Sequence, residues 1–295
     1  MDPGGDVKTV PPATAPTPSR HRPLWRRANI PAGAGAALWL AIVLIPLYIL
    51  VSATLRTRED YLERGALALP TSPSVESYRR VLAGDFLTYL LNTVVVTAAC
   101  AALVVVLAVT VAYSVVRTRN AASRRVFQLF LLGLAIPSQA VIIPVYLIIT
   151  ELNFYDTLAA VILPTAAFAL PVGVLILVGT MRDIDEETYE SMALDGAGPL
   201  RTLLNLTVPM SRAGIATVGV FSALQAWNGF LFPFLLTQSR DTRVLTLGLY
   251  DYVGEFRVDV PALLAAVVLS VVPIFAAYLL ARRQLVNGLM GVGGR

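Results

Sequence analysis

Six apolar stretches, each near the length of a bilayer, constrain this chain more than any other feature. They run approximately over 34–55, 89–115, 127–149, 157–180, 213–236 and 261–281. A spanning helix needs about 20 mostly apolar residues. Lipid offers no partner to a backbone N–H or C=O, so each such segment must satisfy its own backbone as a helix. The alternating pattern of a membrane barrel is absent. Composition agrees: 56% of the residues are hydrophobic and 14% charged, with mean hydropathy +0.70, whereas a soluble domain carries about 25% charged residues. The expected fold class is all-α, a polytopic membrane protein with six transmembrane helices.

The polar segments divide the chain. Residues 1–29 are rich in Pro, Thr and Arg and bury too little apolar surface to fold, so a disordered tail is expected. A signal peptide is the competing reading, but the polar lead is long and the first apolar run is nearer a span than a short signal core. Residues 30–85 then hold the first helix and a long loop. Residues 86–282 hold five helices with a polar loop at 181–212, and 283–295 form a tail. Basic residues cluster before the first span (Lys8, Arg20, Arg22, Arg26, Arg27), in the second connection (Arg117, Arg119, Arg124, Arg125), in the fourth (Arg182, Arg201, Arg212) and at the end (Arg282, Arg283, Arg295). The short third connection, ELNFYD, has none, and the arginines of the first and fifth are interspersed with acids. The positive-inside rule then puts both termini and the 181–212 loop in the cytoplasm. The Ala- and Arg-rich usage fits a bacterial, GC-rich genome, hence a bacterial cytoplasmic membrane.

Several functions are excluded by what the chain lacks. The net charge of +4 comes almost wholly from arginine; it reads as topology, and no basic stripe with interleaved aromatics marks a nucleic-acid site. Cys100 is the only cysteine and His21 the only histidine. No thiolate or imidazole catalytic set and no cysteine metal site can therefore be assembled, and Cys100 reads as a small packing residue. No Asp, Glu, Lys or Arg lies mid-span, which argues against a proton relay. The polar groups within the spans are neutral: Asn92, Ser138, Gln139, Gln225 and Asn228. They suit either a polyhydroxylated ligand or interhelical hydrogen bonding. Prolines 46, 137, 144, 164, 171, 233 and 273 fall in the spans and predict helices that curve around a cavity.

The loop at 181–212 reads MRDIDEETYESMALDGAGPLRTLLNLTVPMSR. Asp183 and Asp185 are placed to cap a helix beginning near Glu186, with acids in its first turn. Helical spacing brings Tyr189, Met192 and Ala193 near one face. Gly196 and Gly198 end the helix. Pro199 suits the first position of a second helix, which presents Leu200, Leu203, Leu204 and Leu206 and stops near Pro209. Two readings stand: an amphipathic elbow between spans, or a docking element for a soluble partner.

The run Glu190-Ser-Met-Ala193-Leu-Asp195-Gly196-Ala197, with Pro209 downstream, resembles the EAA loop of ATP-binding-cassette (ABC) importer permeases. There the usual pattern is E-A-A, then D-G-A, then hydrophobic-Leu-Pro. Ser191 and Met192 replace two alanines here, and Val208 the leucine. Trp227-Asn228-Gly-Phe230-Leu-Phe232-Pro233 resembles a segment of the carbohydrate, maltose-type branch. Thr246-Leu-Gly-Leu fits the loop that follows it, and the glycine-rich ending from Asn287 fits that branch's tail. The resemblance covers about residues 30–295. It implies the ABC type-1 importer transmembrane-domain fold and a heterodimer with a second homologous permease subunit. It also implies two cytoplasmic ATPase subunits, which bind ATP-Mg themselves, and an extracytoplasmic solute-binding protein. Glu190, Ala193, Asp195, Gly196, Ala197 and Pro209 would form the ATPase-coupling loop. Gln225, Trp227, Asn228 and Phe230 would be candidates for the substrate pathway, and no cofactor, metal or catalytic residue is expected in this chain. The chain has no P-loop: Lys8 follows valine in the tail. It would thus be a translocation subunit, not an enzyme. The alternatives are the same machinery carrying sn-glycerol-3-phosphate or another small polar solute, and a stand-alone secondary carrier. An intramembrane enzyme would need paired acids or metal ligands at bilayer depth, and none is visible.

Overall fold

The computed structural model describes residues 30–118, 120–254 and 258–290. The expected tail over 1–29, with Lys8 and His21, lies outside the described residues, as do Arg119 and 291–295. The chain divides into two compact units, one up to Leu47 and one from Tyr48 onward. The first comprises most of α1 (Ile30–Thr54), a long apolar helix with Pro46 inside it. In the second, α2 (Arg58–Arg64) and α3 (Glu76–Ala83) lead to α4 (Phe86–Thr118), α5 (Ala121–Gly133), α6 (Ile142–Glu151) and α7 (Leu158–Arg182). The polar loop carries α8 (Glu186–Leu194), α9 (Pro199–Thr202) and α10 (Val208–Met210). Then come α11 (Arg212–Trp227), α12 (Leu231–Leu236), α13 (Leu245–Gly248) and α14 (Val260–Met290), which runs on into the stretch read as a tail.

Among the described residues, α1, α4 and α7 are single helices long and apolar enough to cross a membrane. Two stretches expected as continuous spans are broken. That over 127–149 is α5 and α6, bent by 96° about a break. Pro137 explains it: proline lacks the N–H and biases the residue before it to extended backbone, and Pro137 itself is extended at ψ 132°. That over 213–236 is α11 and α12, interrupted at 228–230. By contrast, Pro164 and Pro171 lie inside α7 without ending it.

The core forms where α4, α7 and α11 meet. Val96, Cys100, Val104, Ala108 and Ala112 recur every four residues on α4, making one buried ridge. Cys100 is thus the packing residue expected. Gly173 on α7 faces that ridge. A Cβ there would lie 3.0 Å from Val218 Cγ1, 3.3 Å from the Ala108 Cβ and 3.3 Å from Val104 Cγ1. Gly214 brings α11 equally close to α7, since a Cβ there would meet Thr180 Oγ1 at 2.5 Å.

Polar contacts organise the connections. Arg56 is 1% exposed. Its guanidinium is held by the Asp60 carboxylate and donates to the carbonyls of Asp60 (2.6 Å) and Gly65 (2.7 Å), so a buried charge keeps its partners. Asn92 Nδ2 donates to the carbonyls of Asp241 (2.7 Å) and Arg243 (2.8 Å), tying α4 to the loop after α12. Asp156, at φ 58°, clasps the loop after α12. Its carboxylate accepts from the Gln238 N–H (2.8 Å), the Ser239 N–H (3.0 Å), the Thr242 hydroxyl (2.7 Å) and the Ser239 hydroxyl. Desolvation opposes its ionisation, but these donors outweigh it and hold the carboxyl well below the ordinary range.

Two predictions follow from packing and from this clasp. Gly173→Val should destabilise the protein by about 1–3 kcal/mol through overpacking, whereas Gly179→Ala, with open space around it, should be neutral or slightly stabilising; thermal unfolding in detergent checks both. Asp156→Asn should cost about 1–2 kcal/mol at neutral pH after solvent screening. A depressed carboxyl pKa contributes stability above the unfolded value, about 3.9, and that contribution fades as pH falls through the folded value. The gap between wild type and variant should therefore stay constant above about pH 5 and narrow progressively below about pH 4, closing only as pH falls through the much lower folded value.

Candidate functional site

The polar loop is built from local rules on top of α7. Glu186 and Glu187 occupy the first turn of α8, at the positive end of its dipole. Asp185 sits at the N-cap with extended ψ of 137°, but its carboxylate makes no cap bond, and Asp183 instead ends α7. Gly196 has φ 71°. The Ala197 N–H reaches the Met192 carbonyl at 3.0 Å and the Gly196 N–H the Ala193 carbonyl at 3.0 Å. This is the paired-bond ending that favours glycine in the left-handed region. Pro199 opens α9 as expected. The second helix does not stop at Pro209. It passes through a π-helical turn, Leu203–Thr207, in which the Val208 N–H bonds to the Leu203 carbonyl. Proline cannot donate and crowds the carbonyl four residues back; the wider turn accommodates it, and the chain continues into α10 and α11.

One face of α8 is fastened to the end of α4. Tyr189 is 2% exposed. The Arg117 guanidinium stands 4.2 Å from its ring centroid and pairs with Glu186 at 2.8 Å. The Tyr113 hydroxyl donates to the Pro199 carbonyl at 3.1 Å. The opposite face is open: Glu190, Ala193, Asp195 and Gly196 are exposed together. Leu194 beside them is 89% exposed and Leu200 67%. Glu190 and Asp195 form no ion pair among the described residues. Ala197 is half-buried, and Pro209 is exposed beyond the π-turn, away from the glycine turn in sequence. Reading the sequence alone missed Arg117 and Tyr113 as anchors. Their only signal was a basic and an aromatic residue at the end of a span, four positions apart.

A second group surrounds the break after α11. The Asn228 N–H (3.1 Å) and Nδ2 (2.9 Å) both donate to the Leu224 carbonyl, and the Thr246 hydroxyl donates to the Gly229 carbonyl at 2.7 Å. These bonds satisfy a backbone that has left the helix. Gln225, Asn228 and Phe230 are exposed, while Trp227 is half-buried against the cluster that includes Phe86, Tyr89 and Leu245. Phe230 stacks on Phe234 at 5.4 Å and 17°, and meets Tyr250 at 5.7 Å. With Gln238 and Arg243 these rings line a cavity of about 280 Å³. Ser138 and Gln139 lie apart from it, in the short turn before α6, where the Ser138 hydroxyl meets Gln139 Oε1 at 3.3 Å. No group of three or more His, Cys, Asp or Glu that could hold a metal occurs among the described residues.

Residues 104–286 match the model of the family described as binding-protein-dependent transport system inner membrane component. The diacetylchitobiose uptake system permease protein NgcG of Streptomyces coelicolor is 31% identical over 255 residues, covering 85% of this chain and 84% of that one. The multiple sugar-binding transport system permease protein MsmG of Streptococcus mutans is 26% identical over 253 residues, covering 84% and 90%. The fold matches a chain in the crystal structure of a bacterial ABC transporter involved in import of the acidic polysaccharide alginate. There the TM-score is 0.75 at 18% identity, with 89% of this chain and 99% of that one covered. Family model, relatives and fold converge: this chain belongs to the binding-protein-dependent transport system inner membrane components, the permeases of ABC importers.

Proposed function

We propose that this chain is the permease subunit of an ABC importer that carries a mono- or oligosaccharide across the cytoplasmic membrane. One observation carries the proposal: a helix fastened from behind by Arg117 and Tyr189 presents Glu190, Ala193, Leu194, Asp195 and Gly196 outward. That is the form of a docking element. The apolar Leu194 enters a partner's groove, the two carboxylates pair with basic groups, and Gly196 lets the partner approach the backbone. The partner is one of two cytoplasmic ATPase subunits, which hold ATP-Mg and do the hydrolysis; this chain is not an enzyme. A second, homologous permease subunit completes the pathway, and an extracytoplasmic binding protein delivers solute. The six apolar stretches support six spans, and the arginine distribution supports cytoplasmic termini and a cytoplasmic docking loop.

The names of NgcG and MsmG support a carbohydrate as cargo. The neutral Gln225 and Asn228 and the stacked Phe230 support it chemically, since hydroxyls need hydrogen-bond partners and the C–H faces of a sugar ring lie well on aromatic faces. Nucleotide binding on the partner biases α8 between two positions, and the Arg117–Glu186–Tyr189 fastening delivers that bias to the end of α4.

Gly196→Glu should abolish uptake while the protein still reaches the membrane. An added Cβ at Gly196 meets nothing within 4 Å in this chain, but φ 71° strains any other residue. Gly196→Ala, which carries the same strain without the bulk and charge, is therefore the control: uptake kept by the alanine variant and lost by the glutamate one reports on a neighbour supplied by another chain. Normal uptake and normal substrate-stimulated ATPase in proteoliposomes of the assembled transporter would sink the docking reading. Asn228→Leu should lower transport severalfold, about the loss of one or two hydrogen bonds, with assembly intact. Unchanged transport kinetics would leave Asn228 a helix-break residue only.

A further inference from the structure

A second polar cavity, of about 490 Å³, lies behind the docking helix. Its walls come from the last turns of α4 (Val115, Val116) and α7 (Met181, Arg182), the start of α5 (Arg124, Phe127) and the inner side of α8. Arg124 and Arg182 have no carboxylate partner among the described residues. The one acid in the lining, Glu186, is bound to Arg117 at 2.8 Å. The Arg182 guanidinium lies 5.6 Å from the centre of the Phe127 ring, which holds it over the cavity wall. Two long apolar helices end together here, at Thr118 and Arg182. In a membrane that level is the headgroup layer.

We propose that this cavity holds the phosphate of an anionic glycerophospholipid. Guanidinium groups bind phosphate oxygens through paired, charge-assisted hydrogen bonds. Basic recesses between membrane helices on the cytoplasmic side select anionic headgroups. The apolar parts of the lining, Val115, Val116, Phe127 and Met181, receive the glycerol and first methylenes, which a free phosphate lacks. A zwitterionic headgroup carries its own cation and leaves the two arginines less well neutralised. Because α8 forms one wall, a bound headgroup braces the docking helix from the membrane side.

The test is titration of the full-length chain, purified in detergent, with phosphatidylglycerol or phosphatidylcholine, read by native mass spectrometry. Wild type should retain one phosphatidylglycerol under conditions that strip phosphatidylcholine. Arg124→Gln with Arg182→Gln should weaken that binding by about thirtyfold, and the corresponding double lysine variant should restore most of it. Val116→Trp, which fills the cavity without touching charge, should displace the lipid too and decides the matter if the glutamine variant fails to fold. Arg125→Gln, a neighbouring arginine outside the lining, should bind as wild type. Undiminished binding by the glutamine and tryptophan variants, or equal loss in Arg125→Gln, would overturn the proposal. So would inorganic phosphate displacing the lipid at equal concentration, which would make this a site for free anions.

Discussion

The approach of α4 and α11 to the backbone of α7 at Gly173 is the contact from which the other positions follow. Helices within lipid gain little from apolar burial against one another, so their association rests on close packing and hydrogen bonds. The missing side chain at Gly173 admits Val104, Ala108 and Val218 to within contact of one point. With the four-residue ridge of α4 locked there, α4 and α7 finish side by side. Arg117 then stands over Tyr189, and the docking helix is set relative to the bundle. Gly214 repeats the device near the end of α7, so α11 leaves the loop against the same wall.

The chain uses two ways of keeping backbone satisfied where helices end within the bundle. At 228–230 the break is closed by Asn228 and by Thr246 from a distant segment. At Pro137 the break has no such distant partner among its hydrogen bonds, and the chain bends by 96° instead. The first keeps α12 against α7, where Phe168 and Phe232 meet at 5.5 Å; the second turns α6 away from the line of α5. Asp156 then ties the loop before α7 to the loop after α12, and Arg56 closes the loop after α1 upon itself.

Much of the docking loop could be read from its residues because its rules are local. A glycine after an acidic helix and a proline after a second glycine specify an end and a start, and both fall where expected. The long apolar helices were legible for the same reason: length and composition suffice. What escaped was decided by distant partners. Pro137 is the exception: its break is local, with the polar Ser138 and Gln139 beside it, whereas Pro164 and Pro171 sit in the apolar run of α7 and leave that helix whole. Asp185 has the chemistry of a cap, yet its carboxylate is turned elsewhere. Pro209 was expected to stop a helix, and a wider turn carries the chain past it. Asn92 holds the loop at 241–243 through carbonyls 149 and 151 residues away, which no local pattern announces. Arg56 looked like one more loop arginine, and its burial depends on carbonyls up to a dozen residues away.

The π-turn at Leu203–Thr207 gives the link between the docking helix and α11 an unusual mechanical character. One residue more than an α-turn is packed into that loop of the ladder, and such a surplus can be passed to a neighbouring turn by exchanging one hydrogen bond for the next. The link between α8 and α11 is therefore the part of the loop whose hydrogen-bond register can change while the helices on either side stay whole.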